Sequence, residues 1–474
     1  MQAPSVLPGL EPPWWLREAL TLEDGPHESP PLAGELEVDV AVVGGGYTGL
    51  WTALALRERD PERRVAVLEA EFCGAGPSGR NGGFVHGYWS YLPTLQELFG
   101  TEGALALCRA GDRIVPSVRA FLEHRGEDAW LHEGGMLKVS TTPGQDASVE
   151  RAVAAARAAG RPEEAVALGP DELAGRCRSP VFRRGVLYRD GATVQPARLV
   201  RALRRAALDA GVELYERTPV RLTGPGSGLL QGPNGAVVRA RDVVVATNAA
   251  AAGWGPVRGR ITVFGSYVVL TEPVPELLAA IGWTGGEAIV DSRMFVHYFR
   301  TTPDGRVLMG SGSGPIGYGG RIDRRFTHDG ATAGRAERGL RRLLPGLAGA
   351  RVEAAWGGPI DVAADRVPFF GTVPGSRVHY AMGYSGHGVG PSWLAGQALA
   401  SLVLGADDEW TRLPLVNRRA ATVPREPFRR LGGGAIRAAI LACEQADEEG
   451  RRASLPARVG AFVPRALGLR LGQR

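Results

Sequence analysis

Hydrophobic and polar residues near the start of the chain alternate in blocks that predict a strand, a turn, a helix and a second strand. The residues VDVAVV, at 38–43, form a short apolar run typical of a buried strand, and glycines follow them directly. The next segment, TGLWTALALRERD, has its apolar residues at helical spacing and ends in charged residues. A second apolar run, RVAVLE at 64–69, completes the unit. Such a strand–helix–strand unit predicts a parallel sheet with a right-handed crossover.

Later segments repeat this pattern, with a different one between them. The strand pattern ARDVVVATNA, at 240–249, runs into a polar turn, and residues 378–405 have the pattern of a strand, a glycine loop and a helix. Residues 261–311 are instead rich in strand patterns, and a Pro-Asp-Gly turn at 303–305 joins two of them. A tight hairpin is antiparallel, so these strands are predicted to belong to another sheet.

The predicted fold is therefore α/β, with a Rossmann-like cofactor domain and an α+β substrate domain built on an antiparallel sheet. We predict that the cofactor domain is discontinuous and that the antiparallel sheet comes mainly from residues 256–354. The predicted division of the chain is an N-terminal arm at 1–34, the cofactor domain at 35–95, 185–255 and 355–410, the substrate domain at 96–184 and 256–354, and a basic tail at 411–474.

Composition narrows the class of protein. The chain has 474 residues, of which 44% are apolar and 22% charged, values typical of a soluble globular protein. No run approaches the roughly 18 apolar residues of a membrane span, and the first residues lack the basic and apolar regions of a signal peptide. The four cysteines form neither a metal-binding motif nor a disulfide framework: Cys73, Cys108, Cys177 and Cys443. We therefore expect a cytoplasmic protein without a metal site or a membrane partner.

The positive charge of the chain is concentrated at its C-terminus. The net charge is +5, and the segment from Thr411 to Arg474 holds 13 arginines against five acids. The rest of the chain is therefore slightly acidic. Because the basic residues of the tail are not interleaved with aromatic residues, no nucleic-acid partner is expected. A solvated tail with helical pieces is predicted instead.

The glycines after the first strand have the spacing of a dinucleotide-binding turn. GGGYTG supplies Gly44, Gly46 and Gly49 in the GxGxxG arrangement between a strand and a helix, which brings a pyrophosphate to the helix N-terminus. Glu69 follows Gly49 by 20 residues and ends the next strand, where a carboxylate accepts hydrogen bonds from an adenosine ribose. An acid at that position disfavours a 2′-phosphate and therefore NADP.

A second glycine loop follows this acid, in EAEFCGAGPSGRNGGF at 69–84. Proteins that bind NAD do not need such a loop. A larger cofactor with an extended ring system does, because backbone has to pass close to its pyrophosphate and ring.

With both loops, the sequence resembles the D-amino-acid-oxidase-like family of FAD-dependent amine oxidoreductases, and within it the γ-glutamylputrescine-oxidase-like branch. The resemblance runs from about residue 35 to about residue 430 and implies the glutathione-reductase type of flavin fold. The segments that carry it are VAVVGGGYTGLWTALAL, VLEAEFCGAGPSGRNGGF, DGATVQPARLVRAL, VVVATNA, WGGPIDVAADRVPFFG and GYSGHGVGPSWLAGQALA.

The resemblance implies FAD as the cofactor, and we expect it to be noncovalent because Cys73, the one cysteine near these motifs, lies toward the pyrophosphate end. Arg80 is expected to donate charge-assisted hydrogen bonds to FAD, Asn81 to lie near the ring, and Asp361 and Asp365 to fix their loop. The helix at 392–404 is expected to direct its positive end at the flavin pyrimidine. The full predicted set is Gly44, Gly45, Gly46, Tyr47, Thr48, Gly49, Glu69, Ala70, Ser78, Gly79, Arg80, Asn81, Gly82, Gly83, Val220, Thr247, Asn248, Ala249, Gly358, Asp361, Gly383, Ser385, Gly386, His387, Gly388 and Val389.

The resemblance also implies the reaction. Hydride would leave the carbon that bears a neutral amine for flavin N5, water would hydrolyse the imine to an aldehyde, and oxygen would reoxidise the flavin to give hydrogen peroxide. Three catalytic candidates follow. Tyr298 and Arg300 alternate onto one face of the strand MFVHYFR and are expected to line the cavity, and His387 lies between two glycines beside the flavin. A packed sheet with a rim arginine and a structural loop histidine are the alternatives.

Departures from the family pattern concern the substrate and the electron acceptor. Gly390 stands where the sarcosine-oxidase-like branch has a carboxylate-binding lysine, and His86 lies near the place of its arginines, so an amine without an adjacent carboxylate is expected.

The chain's one lysine, Lys138, is expected to lie far from the hairpin strand whose lysine activates oxygen in that branch. Protonated His387, Arg300 or the protonated product could instead supply the positive charge that activates oxygen. An oxidase is favoured, and an amine dehydrogenase that reduces a carrier or a flavoprotein subunit without its own turnover are the alternatives.

Overall fold

Two large sheets carry the fold in a computed structural model that describes residues 12–23, 27–224 and 226–466. Parts of the predicted arm and tail, at 1–11, 24–26 and 467–474, lie outside the described residues. Among those described, no helix is both long and apolar enough to cross a membrane.

The first sheet, here the dinucleotide sheet, has the order β17-β18-β11-β1-β2-β8. Its central strands β18, β11, β1, β2 and β8 are parallel, whereas β17 and β10 pair antiparallel at its borders. This arrangement confirms the α/β prediction. The strands are β1 (Glu35–Val43), β2 (Val65–Leu68), β8 (Glu213–Tyr215), β9 (Arg221–Leu222), β10 (Leu229–Gln231), β11 (Val237–Val245), β17 (Phe369–Thr372) and β18 (Val378–Met382).

The second sheet, here the cavity sheet, has the order β16-β12-β15-β14-β13-β4-β6-β5. It is antiparallel except for one parallel pair, β4 with β13. A separate two-stranded ribbon pairs β3 (Phe84–Val85) with β7 (Ala192–Thr193). The strands of the cavity sheet are β4 (Met136–Ser140), β5 (Val166–Leu168), β6 (Arg184–Tyr188), β12 (Ile261–Thr271), β13 (Ala288–Asp291), β14 (His297–Thr301), β15 (Val307–Ser311) and β16 (Val352–Ala363).

Helices cover both sheets. The helix α10 packs closely on α2, since a Cβ added to Gly396 would lie 2.7 Å from Cβ of Trp51. The helices are α1 (Trp14–Leu20), α2 (Tyr47–Arg59), α3 (Leu92–Gly111), α4 (Ile114–Arg125), α5 (Asp146–Ala158), α6 (Pro170–Ala174), α7 (Pro196–Asp209), α8 (Pro275–Ala280), α9 (Gly330–Leu343), α10 (Val389–Leu404), α11 (Phe428–Glu448) and α12 (Leu455–Ala466).

The cavity sheet extends beyond the segments predicted for the substrate domain. Its strand β6 runs to Tyr188 and β16 runs to Ala363, so both enter segments that were predicted to belong to the cofactor domain. Three of its strands, β4, β5 and β6, come from residues 136–188 rather than from 256–354. The end of β16 lies against the last glycine loop, because Asp361 of this strand accepts a hydrogen bond from the backbone N–H of Gly383, and this contact joins the two parts of the site.

The N-terminal arm is anchored by tryptophan. Trp15 of α1 is fully buried, and its Nε1 donates a hydrogen bond to the carbonyl oxygen of Asn81 at 3.1 Å. Trp15 also meets Trp356 of β16 edge-on. The arm therefore packs directly behind the second glycine loop.

Candidate active site

The first glycine turn lies between the end of β1 and the start of α2. Gly44 has a φ of 112°, and a Cβ added there would lie 2.6 Å from the carbonyl oxygen of Ala246. A Cβ at Gly49 would lie 1.9 Å from the carbonyl oxygen of Gly44. Neither position accepts a side chain. The N-cap residue of α2 is Gly46, so the positive end of this helix borders the cleft as bare backbone, which suits a phosphate.

Glu69 is held beside this turn by backbone donors. The backbone N–H of Gly45 donates to its Oε2 at 2.7 Å, and that of Glu71 donates to its Oε1 at 3.0 Å. Burial raises the pKa of Glu69. These hydrogen bonds hold the carboxylate at the carboxyl end of β2, on the wall of the cleft, where a ribose would present its hydroxyl groups.

The second glycine loop is shaped by Asn81. Its Nδ2 donates to the carbonyl oxygen of Ser78 at 3.0 Å, and its Oδ1 accepts from the backbone N–H of Gly83 at 2.7 Å. The hydroxyl of Ser78 accepts from the backbone N–H of Tyr47 at 3.0 Å, which ties the loop to α2. Both glycine loops therefore form one rigid unit.

Arg80 lies where this loop passes between the two cavities described below. Its Nε donates to the carbonyl oxygen of Ala75 at 2.8 Å, and its own carbonyl accepts from Nε1 of Trp356 at 2.9 Å. Burial lowers the pKa of Arg80, and Glu71 opposes this effect. Because an arginine side chain stays protonated in proteins, the guanidinium places a positive charge where the two cavities meet.

Asp361 braces the last glycine loop, which runs from Gly383 to the start of α10. Its carboxylate accepts from the backbone N–H of Gly383 and from Nδ2 of Asn248 at 2.8 Å. Burial raises the pKa of Asp361 to about 7. Asp365 pairs with Arg418 at 2.7 Å and so fixes the adjacent turn.

Two adjacent cavities lie along these loops. The dinucleotide cleft has a volume of about 300 Å³ and runs along the carboxyl ends of β1, β2 and β11. The substrate cavity, of about 430 Å³, lies between the cavity sheet and the last glycine loop. Six residues border both: Pro77, Arg80, Asn81, Ile360, Gly386 and Val389.

Most of the predicted cofactor residues border one of these cavities. The dinucleotide cleft is bordered by Gly44, Gly46, Tyr47, Thr48, Glu69, Ala70, Ser78, Arg80, Asn81, Val220, Thr247, Asn248, Ala249, Asp361, Gly386, Gly388 and Val389. The substrate cavity also brings together Gly82, Tyr298, Gly358, Ser385 and His387. The predicted residues that border neither cavity are Gly45, Gly49, Gly79, Gly83, Gly383 and Arg300.

These residues fit FAD. A bare helix N-terminus suits its pyrophosphate and a braced carboxylate suits its ribose. A second cavity, which can hold a ring, shares the lining residues Arg80 and Asn81 with the cleft. Oδ1 of Asn248 is a buried oxygen without a hydrogen-bond partner among the described residues, and its side chain borders the cleft. A ligand that donates a hydrogen bond there would satisfy it.

His387 lies on the wall of the substrate cavity and packs against two other aromatic side chains. Its ring meets the rings of His86 and Tyr91 edge-on, at centroid distances of 5.8 and 5.0 Å. Burial, aided by Arg366 and His86, holds the pKa of His387 well below its ordinary value. His387 is therefore uncharged at neutral pH, contrary to the expectation that it could activate oxygen as a cation.

Tyr298 and Arg300 leave the same face of β14 but end in different places. Tyr298 borders the cavity, and its hydroxyl shares a hydrogen bond of 2.8 Å with Ser266. Arg300 is fully buried behind the second glycine loop, where its Nε donates to the carbonyl oxygen of Gly82 at 2.8 Å and its Nη2 to that of Val194 at 2.7 Å. The prediction that Arg300 faces the cavity is therefore wrong, since the loop and α1 cover its face of the strand.

Lys138 borders the substrate cavity, although it was expected to lie far from the hairpin strand. It pairs with Val290 of β13, and Val290 pairs in turn with Tyr298. Lys138 therefore lies two strands from Tyr298 on the same face. The sequence signal that could have indicated this is a single lysine within an apolar strand, MLKVS.

The C-terminal helices cover the substrate cavity. Glu444 of α11 is buried and accepts hydrogen bonds from Arg293 at 2.9 Å and from the backbone N–H of Met294 at 2.6 Å. This contact docks α11 on the cavity sheet, so the tail is not simply a solvated segment as predicted. Its cavity-lining residues are Phe428, Arg429, Gly432, Gly433, Ile436, Arg437 and Val463.

The substrate cavity is cationic. Within the described part of the chain, no aspartate or glutamate lines it. Its charged residues are all basic, namely Arg80, Lys138, Arg366, Arg429 and Arg437. Among the described residues, no cluster of histidine, cysteine and acidic side chains could hold a metal ion.

Comparison with known proteins assigns the family. The DAO family, described as FAD dependent oxidoreductase, matches residues 39–402. A relative from Rhizobium meliloti named "Probable oxidoreductase OrdL" is 29% identical over 87% of this chain and 91% of its own length. A relative from Escherichia coli, named gamma-glutamylputrescine oxidoreductase, is 28% identical over 83% of this chain and 91% of its own length.

Solved structures share the fold. Glycine oxidase from Geobacillus kaustophilus has a TM-score of 0.66 and 24% identity over 81% of this chain and 99% of its own. L-proline dehydrogenase from P. horikoshii has a TM-score of 0.65 and 20% identity over 80% of this chain and 96% of its own. At these identities the likeness concerns the fold. Because the family match covers most of the chain, this protein belongs to the DAO family of FAD-dependent oxidoreductases.

Proposed function

We propose that this protein oxidises the C–N bond of a small amine with noncovalently bound FAD, and that oxygen accepts the electrons. The observation that carries the proposal is that the dinucleotide cleft and a second cavity lie side by side and share the glycine-loop residues Arg80 and Asn81. Similarity to a relative named gamma-glutamylputrescine oxidoreductase supports an amine substrate.

When bound, FAD supplies the redox chemistry by accepting a hydride from the carbon that bears the amine, and water hydrolyses the resulting imine to an aldehyde. It would be held by the glycine turn at Gly44 to Gly49, by Glu69 and by the loop at Ser78 to Gly83. The tasks of this chain are therefore to position the amine, to keep it neutral and to limit the access of water.

The charge of the cavity favours a neutral amine. An ammonium group entering a site lined by five basic residues and, among those described, no acidic ones is disfavoured by like charge. The pKa of a bound amine is lowered as a result. Only the neutral amine has the nitrogen lone pair that assists loss of hydride, so the lining promotes the reactive form.

Two side chains can position this amine. His387 is uncharged because burial lowers its pKa, and its Nδ1 has no hydrogen-bond partner among the described residues. It can therefore form a hydrogen bond with the amine without electrostatic repulsion. Tyr298 keeps its proton, since burial raises its pKa to about 12, and Ser266 fixes the direction of its hydroxyl.

The N-terminus of α10 adds positive potential next to the last glycine loop. This helix begins at Val389 after Gly388, and Gly386 and Val389 border both cavities. The N-terminal end of a helix stabilises negative charge, and such charge develops on a flavin ring on reduction. Arg366 borders the substrate cavity, and its Nη2 donates to the carbonyl oxygen of Ser385 in the last glycine loop at 3.4 Å. Its positive charge favours the one-electron step to superoxide, which supports oxygen as the acceptor.

The experiment is anaerobic mixing of the purified, FAD-loaded protein with a panel of primary and secondary amines, followed by admission of air. The proposal predicts bleaching of the oxidised flavin by at least one amine, then recovery within a second with one hydrogen peroxide per flavin. Recovery over minutes, with faster transfer to an artificial dye, would assign a dehydrogenase. An unbleached flavin with every amine would reject amine oxidation.

The noncovalent attachment is tested separately by acid precipitation. Cys73, the cysteine nearest to the cleft, is buried and burial raises the pKa of its thiol well above the ordinary value, so it is a poor nucleophile. All of the yellow colour should therefore remain in the supernatant. Flavin retained on the precipitated chain would contradict noncovalent binding.

A further inference from the structure

Lys138 places a charge on the wall of the substrate cavity, away from the glycine loops. Its side chain is 3% exposed, and it borders the cavity together with Met136, two residues before it on the same face of β4. The intervening and following residues, Leu137 and Val139, pack in the core on the opposite face. The ammonium group is therefore directed into the cavity by the alternation of the strand.

The ammonium has no hydrogen bond or ion pair with any described residue of the chain. The acid nearest in register is Asp291, which pairs with Val139 and thus lies on the opposite face of the sheet. Its carboxylate is already bonded to Nδ1 and the backbone N–H of His297, both at 2.9 Å. Asp291 therefore does not neutralise Lys138 directly.

The arginines that line the cavity, unlike Lys138, have hydrogen-bond or ion-pair partners within the chain. Arg429 pairs with Glu426 at 2.9 Å, and Arg437 donates to the carbonyl oxygen of Ser313 at 2.9 Å. Arg80 donates to the carbonyl oxygen of Ala75. A buried charge without a partner is costly, and an anionic ligand group would remove that cost.

The distance from Lys138 to the proposed reacting centre bears on the kind of anion. Two strand spacings separate it from Tyr298, which is about 10 Å between their backbones. Tyr298 packs directly on the second glycine loop, because a Cβ added to Gly82 would lie 2.8 Å from its Cε2. In an α-amino acid the nitrogen and the carboxyl carbon are only about 2.5 Å apart. Both side chains extend from these backbones into the same cavity, so a carboxylate at Lys138 and an amine beside Gly82 are matched best by a substrate in which several carbon atoms separate the two groups.

We propose that the substrate is an amine that carries a carboxylate several carbon atoms away from the reacting C–N bond, and that Lys138 binds this remote carboxylate. The proposal rests on the proposed function and deepens it. The arginines of the cavity have partners within the chain, so Lys138 offers one unpaired positive charge, which matches a single carboxylate rather than a phosphate dianion. Gly390 stands where an α-carboxylate clamp would need a lysine, which agrees with a carboxylate that binds at Lys138 instead.

Matched substrates test the proposal on the unmodified FAD-loaded protein. A series of ω-amino carboxylates with three to eight methylene groups is compared with n-alkylamines of the same length. One or more ω-amino carboxylates should have a KM at least about 30-fold below that of the matched alkylamine, as expected for loss of a charge-assisted bond. Equal values across the whole series would overturn the proposal.

The variant K138M and the control R157Q test the residue. Methionine keeps the length and the apolar stem of lysine, and Arg157 is an exposed cation of the neighbouring helix α5. K138M should raise KM for ω-amino carboxylates about 30-fold and leave KM for alkylamines unchanged, whereas R157Q should change neither. An equal effect of K138M on both substrate series would contradict binding of the carboxylate by Lys138.

A binding readout separates this proposal from the proposed function. Hexanoate and hexanamide have no amine to oxidise, and their binding is followed by perturbation of the flavin absorption spectrum. The unmodified protein should bind hexanoate at least about 10-fold more tightly than hexanamide, and K138M should abolish the difference. This result would stand even if no amine reduced the flavin. Equal binding of the two compounds would overturn the role of Lys138 even if amines were oxidised.

Discussion

Replacing Lys138 with methionine should stabilise the substrate-free protein. Burial, together with the charge of Arg151 and opposed by Asp291, lowers the pKa of Lys138 from 10.5 to about 8. This difference corresponds to about 3 kcal/mol of the free energy of unfolding at neutral pH. Methionine fills a similar volume without a charge, so K138M should recover most of that amount.

The pH dependence of this effect has a defined sign. The folded protein holds the Lys138 proton less tightly than the unfolded chain, so the destabilisation is fully present below pH 8 and fades as the pH rises toward 10.5. The advantage of K138M should therefore fall from about 3 kcal/mol at pH 7 to below about 1 kcal/mol at pH 10.

Urea unfolding followed by tryptophan fluorescence, at pH 7 and pH 10, measures this difference. The control R157Q alters an exposed residue and should remain within about 0.5 kcal/mol of the unmodified protein. Equal or lower stability of K138M at pH 7, or a gain that is the same at pH 10, would refute the view that Lys138 is a buried and unpaired cation. A gain in stability coupled to a loss of carboxylate binding would identify a residue kept for function.

Three further substitutions test the geometry of the site. G49A should weaken FAD binding about 10- to 100-fold, because the new Cβ would meet the carbonyl oxygen of Gly44. The control G349A adds a Cβ in open space and should leave the ratio of flavin to protein absorbance unchanged. R300M removes the donors from two buried carbonyl groups behind the second glycine loop and should raise the Kd for FAD about 10-fold in titration of the apoprotein, and an unchanged Kd would contradict a supporting role. I436W should fill the substrate cavity under α11 and raise KM about 10-fold with unchanged flavin content. The control L431W, on the exposed side of that helix, should have no effect on steady-state kinetics. Equal effects of the two variants would contradict the inference that α11 covers the cavity.

The parts of the site that follow from local chemistry could be predicted from the sequence. Gly44 and Gly49 follow from the turn between a strand and a helix, and Glu69 follows from its position at the end of the next strand. Asn81 and the second loop follow from glycine spacing together with the family resemblance. In each case the signal lies within about 40 residues of contiguous chain, where backbone requirements restrict the choice of residue.

The parts that depend on distant strand pairing could not be predicted. Lys138 comes onto the same face of the sheet as Tyr298, two strands away, through a parallel pair of strands about 150 residues apart in the sequence, and this register leaves no local signal. Arg300 was correctly assigned to one face of its strand, but the arm at Trp15 that covers this face comes from the other end of the chain. The docking of α11 depends on Glu444, whose partners Arg293 and Met294 lie about 150 residues earlier.

The central claim, oxidation at the carbon that bears the amine, is tested most directly by a single anaerobic turnover. The FAD-loaded protein is mixed with an ω-amino carboxylate, either unlabelled or deuterated on the carbon next to nitrogen, while the flavin absorbance and the carbonyl product are measured. We predict that the flavin bleaches, that deuterium slows the bleaching, and that one aldehyde forms per flavin. Bleaching without an aldehyde, or a flavin that remains oxidised with every amine, would contradict the account.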